Sequence, residues 1–198
     1  MSKKIVLAVT GASGAIYATR LLNVLAASGA QVHVVISPYG RRLLAEELGI
    51  RECTPVTLAG AVHAARVTLH DYRDVGSKLA SGSFLTDGMV ICPCSGNTLA
   101  DVASGSGSNL ISRAAAVHLK EMRRLILVPR EMPLSIIEME NMIRVARAGG
   151  VICPASPGFY MLPKSLEELA DFVVGKLCDL LGVEHSLRTR YKPAGEME

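Results

Sequence analysis

Tryptophan is absent, and only three phenylalanines and five tyrosines stand among the 198 residues. Single-stranded nucleic acid is gripped by stacking bases on exposed rings, so a chain this poor in rings speaks against that partner. Charge of one sign is missing as well. Lys and Arg total 21 against 18 Asp and Glu, a net +3. No basic stripe precedes the short tail cluster Arg188, Arg190 and Lys192, so a duplex-binding surface is not expected. No apolar run approaches the roughly 18 residues of a spanning helix, which predicts no membrane segment. A D-D-x-x-D motif for a magnesium diphosphate is also lacking. Histidines 33, 63, 70, 118 and 185 show no triad-like or ligand-like spacing. The five cysteines are odd in number, and Cys92 and Cys94 stand too close for a zinc knuckle. The chain opens Met1–Ser2–Lys3–Lys4 and passes directly into an apolar run, with no leader ahead. Reduced thiols, a cytoplasmic location and no metal are therefore expected.

What is present is a high apolar fraction, 49%, with a mean hydropathy of +0.33. That is enough to bury a real core, with a surplus that predicts contact between subunits. Short apolar runs alternate with helical periodicities. Strands are expected at Ile5–Val9, Val32–Ile36, Val67–His70, Gly88–Cys92, Leu125–Val128 and Val151–Cys153. Helices are expected over 16–27, 41–48, from Thr98 onward, 110–121, 133–148 and 166–181. Residues 52–87 give no clear pattern beyond the strand at Val67 and a loop at 80–83. Met139 and Met142 read as helix core.

Strands that are apolar on both faces and alternate with helices predict a parallel sheet covered on both sides. The expected fold is therefore α/β, a Rossmann-like doubly wound sheet in a single-domain, three-layer αβα sandwich over residues 1–183, with a tail over 184–198. Ligands in such folds bind at the carboxyl ends of the strands.

The loops at those ends carry the chemistry. Thr10–Gly11–Ala12–Ser13–Gly14–Ala15 joins a strand to a helix, where free amides favour an anion. It is not G-x-G-x-x-G, and Ser37 stands where an NAD site places an acid, so read alone it is equally a tight turn. Cys92 to Thr98 is a second strand-to-helix turn, with Ser95, Asn97 and Thr98 as small donors. Two such turns suit the phosphate and polar ring edge of a mononucleotide. Arg130–Glu131 follows a strand and faces either a site or its own ion pair. Tyr160 stands in a Gly/Pro turn, with ring packing as the plain alternative. Lys120 and Lys176 are helix cations, each of which read alone is a solvated charge before it is a ligand.

Together these segments resemble the UbiX/Pad-type flavin prenyltransferases. The matching pieces are TGASGA at 10–15, Ser37, ASGS at 80–83, CPCSGNTLA at 92–100 and NLISRAA at 109–115. They continue with LVPREMPLS at 127–135, ENM at 140–142, PASPGFYMLP at 154–163 and DFVVGKLCDLLG at 171–182. The resemblance runs in order from about residue 4 to residue 192. It implies FMN binding without a metal and a homododecamer. It also implies transfer of a dimethylallyl group from dimethylallyl phosphate to N5 and C6 of reduced FMN. The prenylated FMN would serve UbiD-type decarboxylases.

Carried over residue by residue, Gly11, Ala12, Ser13, Ser37, Ser95, Gly96, Asn97, Thr98 and Arg130 match flavin contacts. Ser13 matches a serine near N5. Lys120, Arg130, Glu131, Tyr160 and Lys176 match groups around the prenyl phosphate, and Glu47 a glutamate of proton handling. Three positions depart from common family residues: Lys176 for Arg, Tyr191 for Trp and Met132 for Thr. An FMN-dependent cysteine decarboxylase of the phosphopantothenoylcysteine type, which needs a catalytic His, and a non-catalytic flavin carrier are the alternative readings.

Overall fold

The structure, a computed structural model, describes residues 2–187 and Thr189. The strands are β1 (Lys4–Val9), β2 (Gln31–Ile36), β3 (Val67–His70), β4 (Gly88–Cys94), β5 (Leu125–Pro129) and β6 (Val151–Ile152). The helices are α1 (Ala15–Ala27), α2 (Pro38–Leu48), α3 (Pro55–His63), α4 (Gly96–Ser104), α5 (Leu110–Lys120), α6 (Ile136–Arg147) and α7 (Leu166–Leu181). All strand pairs are parallel, in the order β3-β2-β1-β4-β5-β6. That is the doubly wound order, and its direction reverses between β1 and β4.

The two-residue alternation of β1 builds two cores. Ile5, Leu7 and Val9 pack with Leu21, Leu25, Leu44, Val174 and Leu177, under α1, α2, α3 and α7. Val6 and Ala8 pack with Leu99, Leu110, Ile111 and Val145, under α4, α5 and α6. The three-layer sandwich follows, because each helix has one apolar stripe and the sheet two apolar faces. Truncating a fully buried side chain such as Leu21 or Leu110 to alanine costs about 2–5 kcal/mol.

Caps set the helix ends more sharply than periodicity. Helix α2 begins at Pro38, not Arg41, because Ser37 accepts from the Gly40 amide (3.0 Å) and proline suits the first helical position. Helix α6 begins at Ile136, not Pro133. Its capping box pairs the Ser135 hydroxyl with the Glu138 amide (3.2 Å), and the Glu138 carboxylate with the Ser135 amide (2.8 Å). Helix α3, absent from the sequence expectation, starts on a Thr54–Thr57 box and is interrupted at Gly60, where φ is 72°. Met139 proves exposed rather than core, while Met142 packs on the second core.

The segment from 71 to 84 lies over the β2–β3 side of the second core. It is tied down by a histidine pair. His33 Nδ1 stands 3.0 Å from His70 Nε2, and His70 Nδ1 stands 3.2 Å from the Ser77 hydroxyl. The Phe84 ring meets His33 edge-on and lies under the ammonium groups of Lys4 and Lys78. Burial, reinforced by His70, Lys78 and Lys4, pushes His33 down to about 4, and burial chiefly lowers His70 as well. A depressed histidine stays neutral in the folded chain while the unfolded chain takes up protons. Its contribution is whole above pH ~6.5 and is lost as pH falls towards the folded value. The unfolding midpoint should therefore drop between pH 6.5 and 4, and His33→Gln, which cannot take the proton, should flatten that drop. Thermal scans across the range, read by circular dichroism, check this.

Candidate active site

Three turns meet at the carboxyl ends of β1, β2 and β4, beside the reversal of strand order. Thr10, buried, joins two of them. Its hydroxyl donates to the Pro93 carbonyl (2.8 Å) and accepts from the Ser95 amide (2.8 Å). Ser95 in turn caps α4 by accepting from the Thr98 amide (3.3 Å). The third turn closes against the first. Ser37 donates its amide to the Val9 carbonyl (2.9 Å), and a Cβ on Gly40 would stand 2.5 Å from that oxygen. A Cβ on Gly11 would meet the Tyr39 Cβ at 2.5 Å, so glycine is required for this close approach.

Glu47 has a place that the sequence does not reveal. From α2 its carboxylate accepts from the amides of Gly14 (3.0 Å) and Ala15 (2.8 Å). It fills the amide end of α1, where a negative charge is favoured, and holds Gly14 at its left-handed φ of 112°. The first loop therefore does not offer the start of α1 to an outside anion. At α4 the N1 and N2 amides, of Gly96 and Asn97, precede the bonds that Thr98 and Leu99 make to Ser95. They stand with the Ser95 and Thr98 hydroxyls, which are themselves 3.1 Å apart. The Glu138 carboxylate approaches this turn, since a Cβ on Gly96 would lie 3.0 Å from its Oε1. Hydrogen bonds from Ser135, first its amide and then its hydroxyl, hold that carboxyl below the usual range. These features fit a flavin mononucleotide: small hydroxyls at Ser37, Ser95 and Thr98, and at the start of α4 two amides that the helix itself leaves without a partner.

A second rim follows β5 and β6. Arg130, half-buried, donates from Nε to the Ser13 carbonyl (3.1 Å), so the β5 loop grips the β1 loop across β4. Glu131 turns away, its carboxylate accepting from the Met132 amide (3.1 Å), so the two form no ion pair. Tyr17, on the first turn of α1, lies against Gly14. Burial raises its phenol, Cys92 adds to this and Arg130 opposes it. Tyr160 packs edge-on against Phe172 of α7. Lys176, exposed one turn further along α7, acts on the half-buried Cys153 after β6, whose thiol burial raises and Lys176 lowers. Burial holds Cys92 and Cys94 as neutral thiols, unsuited to ligating a metal. Among the described residues no cluster of three or more His, Cys, Asp or Glu could hold one.

Lys120 is not at this rim. It ends α5, with four residues between it and β5, at the amino ends of the strands. There it pairs with Glu121 (2.8 Å), beside Gly82 of the loop entering β4. Arg123 donates to the carbonyls of Gly82 and Phe84 at the same corner. The histidines are equally remote. His33 and His70 lie under the 71–84 segment, His118 bonds Thr86 (2.9 Å), His63 closes α3 and His185 follows α7. Tyr191 lies outside the described residues. Thr10, Tyr17, Glu138 and Phe172 went unnoticed as site residues, although Thr10 heads the TGASGA run.

Replacing Thr10 by valine removes a hydroxyl from two buried hydrogen bonds and strands the Ser95 amide. The expected cost is about 1–3 kcal/mol of unfolding free energy in urea, with weaker FMN binding measured by quenching of flavin fluorescence.

The comparisons with known proteins agree with this geometry. The Flavoprotein family model matches residues 1–178. A flavin prenyltransferase UbiX of Halalkalibacterium halodurans is 46% identical over 186 residues, covering 92% of this chain and 90% of the relative. A crystal structure of AnUbiX (PadA1) in complex with FMN and dimethylallyl pyrophosphate superposes with a TM-score of 0.89. It is 38% identical and spans 98% of this chain and 100% of that one. A dodecameric FMN-dependent UbiX-like decarboxylase from Escherichia coli O157:H7 gives 0.85 at 36% identity, over 96% and 100%. With its doubly wound sheet and its three turns at the β1–β4 reversal, the chain belongs to the flavoprotein family and, within it, to the UbiX flavin prenyltransferases.

Proposed function

We propose that this protein joins a dimethylallyl group from dimethylallyl phosphate to N5 and C6 of reduced FMN, giving prenylated FMN for UbiD-type decarboxylases. The observation that carries the reading is the presence of two anion-ready regions at one end of the sheet. One is the amide-rich crevice of Gly11, Ala12, Ser13, Ser37 and Ser95 to Thr98. The other is the rim of Arg130, Tyr160 and Lys176. A flavin carrier needs only the first. A cysteine decarboxylase of the phosphopantothenoylcysteine type needs a histidine at the crevice, and the described histidines lie elsewhere.

Reduced FMN supplies the nucleophilic ring atoms, and everything else falls to the protein. The leaving group is an allylic phosphate monoester, poor unless its charge is met. Arg130, Lys176 and the Tyr160 hydroxyl meet it as the C–O bond breaks, worth most where water is excluded. Arg130 belongs to both regions, because its bond to the Ser13 carbonyl sets the distance between them. The same bond, and Glu47, which fixes the following two residues, hold the Ser13 backbone, and Ser13 would be the residue near N5. Glu47 thus holds the turn first, and the C6 proton would go to the released phosphate or to Glu47. Glu131 lines the outer rim.

Lys120 retains a phosphate role only when a neighbouring copy delivers it, which suits the homododecamer expected of the family. A surface for such packing exists. Met132, Ile136, Ile137, Leu162 and Leu166 are each at least 69% exposed along the start of α6 and the loop before α7. We place the protein in the cytoplasm. Its cysteines are unpaired, and no described helix is long and apolar enough to cross a membrane.

The decisive experiment is anaerobic. Protein loaded with FMN is reduced and given dimethylallyl phosphate or the diphosphate, and the released flavin is weighed. A gain of one prenyl unit is expected; unmodified FMN with both donors would end the prenyltransferase reading. Tyr160→Phe should leave FMN affinity unchanged and slow single-turnover transfer roughly tenfold or more. Arg130→Ala should weaken both FMN binding and transfer. Lys120→Ala subunits, inactive alone, should regain activity when co-assembled with Tyr160→Phe subunits, since some sites then draw an intact residue from each; absence of rescue confines Lys120 to its surface pair with Glu121.

A further inference from the structure

The loop from Pro154 to Ser165, which carries Tyr160, is tied to the end of β5 at its start, where the Ala155 amide donates to the Pro129 carbonyl (3.1 Å); further bonds are local. The Ser156 amide donates to the Pro154 carbonyl (2.8 Å), Leu162 to Phe159 (3.0 Å) and Lys164 to the Glu168 carboxylate (2.6 Å). Leu162 holds a left-handed φ of 51°, an unfavourable conformation for a residue with a branched side chain. Phe159 and Leu162 point outward, and Tyr160 itself is more than half exposed. A hydroxyl on such a loop meets a phosphate reproducibly only if its ring is held in one orientation.

The foothold is aromatic. The Tyr160 and Phe172 rings stand 5.6 Å apart at 85°, the edge-to-face arrangement that ring quadrupoles favour. Gly158 lies against both. A Cβ there would come within 2.9 Å of Phe172 Cζ and within 2.9 Å of Tyr160 Cε1. Phe172 in turn packs on the first core and follows Asp171, whose carboxylate takes Arg20 of α1 in a two-bonded pair (2.8 Å at Nε). The path from the rigid α1–α7 pair to the Tyr160 ring is therefore continuous. Rings are scarce in this chain, which makes their pairing here the more informative.

We infer that Phe172 is a positioning residue for the prenyl donor: with Gly158 it fixes the Tyr160 ring so that its hydroxyl faces the allylic phosphate. This rests on the reading of Tyr160 as a phosphate ligand. The holoenzyme tests it through kcat/KM for dimethylallyl phosphate, beside FMN affinity and the unfolding midpoint. Phe172→Leu keeps an apolar side chain and removes the ring; Gly158→Ala keeps both rings and forces them apart. Each should lower kcat/KM for the donor roughly three- to tenfold, the range an edge-to-face pair is worth, with FMN affinity unchanged. Added to Tyr160→Phe, Phe172→Leu should cost nothing further, because the hydroxyl it aims is already gone. Independent, multiplying losses in the double variant would overturn the positioning role while leaving Tyr160 a ligand. A silent Tyr160→Phe would instead remove the ligand reading and this inference with it. Where Phe172→Leu lowers the midpoint and FMN binding together, Gly158→Ala decides, and an unchanged kcat/KM there rejects the inference.

Discussion

Between β1 and β4 the sheet changes direction, and there one hydroxyl does what backbone pairing cannot. The register of β1 with β4 ends at Ala8 and Ile91, and the strands then diverge into different turns. Thr10 bridges the gap, donating to one carbonyl of the β4 end and accepting the amide that opens α4. A buried group so committed is costly to leave half-satisfied, so the two turns move as one body. The rest of the site hangs on that body. Ser95 caps α4 from it, Arg130 reaches across to its Ser13 carbonyl, and Ser37 docks on Val9 beside it. Binding elements on separate strands thus behave as a preorganised cradle, which lowers the ordering cost of a bound mononucleotide.

The electrostatics of the crevice come from partition rather than from net charge. Two of the helices that begin at this edge, α1 and α4, have amides to offer. The start of α1 is closed by the chain's own carboxylate, Glu47 of α2. The other, α4, has Glu138 nearby, with that carboxylate spent largely on Ser135. A fully open pair of helix ends would bind any anion. Here the capacity is narrowed to α4 and to Arg130, and in the proposed reading the donor phosphate is met by Arg130 together with Lys176 of α7 and the Tyr160 hydroxyl.

Much of this was legible in the residue pattern, for a definite reason. Strands buried on both faces, such as β1 and β4, read as short continuous apolar runs, and six of these spaced by helices leave little choice of architecture. The turns at the carboxyl ends were legible because glycine and small hydroxyl residues gather directly after such strands. The helix starts were less so. Pro133 and Arg41 looked like beginnings, yet Ser135 with Glu138 and Ser37 with Pro38 are the true ones, fixed by hydrogen bonds rather than by periodicity. Lys120 was legible as a residue type and not as a place. Its helix face is amphipathic either way, and only the sheet order shows that α5 ends at the edge away from the crevice. The roles of Glu47 and Phe172 were invisible for the same reason: each acts across a distance in sequence that no local pattern encodes.

Poverty in aromatic residues acquires meaning once their positions are known. Tyr17, Tyr39, Tyr160 and Phe172 all stand at the carboxyl edge, against Gly14, Gly11 and Gly158. In each case a ring fills the space that a side chain on the glycine would have taken. Flat, rigid groups laid on bare backbone give a loop a fixed outline at little cost in side-chain entropy. The inner core, by contrast, is built from Leu, Ile, Val and Ala, which pack densely without polar atoms to satisfy. Half of the eight rings therefore stand at the surface that has to hold its shape against water and yet admit a planar ligand and a reactive allylic group, while Tyr72 and Phe84 pack on the second core. The same economy explains why the cysteines in that region remain thiols: buried among aliphatic neighbours, they complete the packing and offer no competing nucleophile beside the donor.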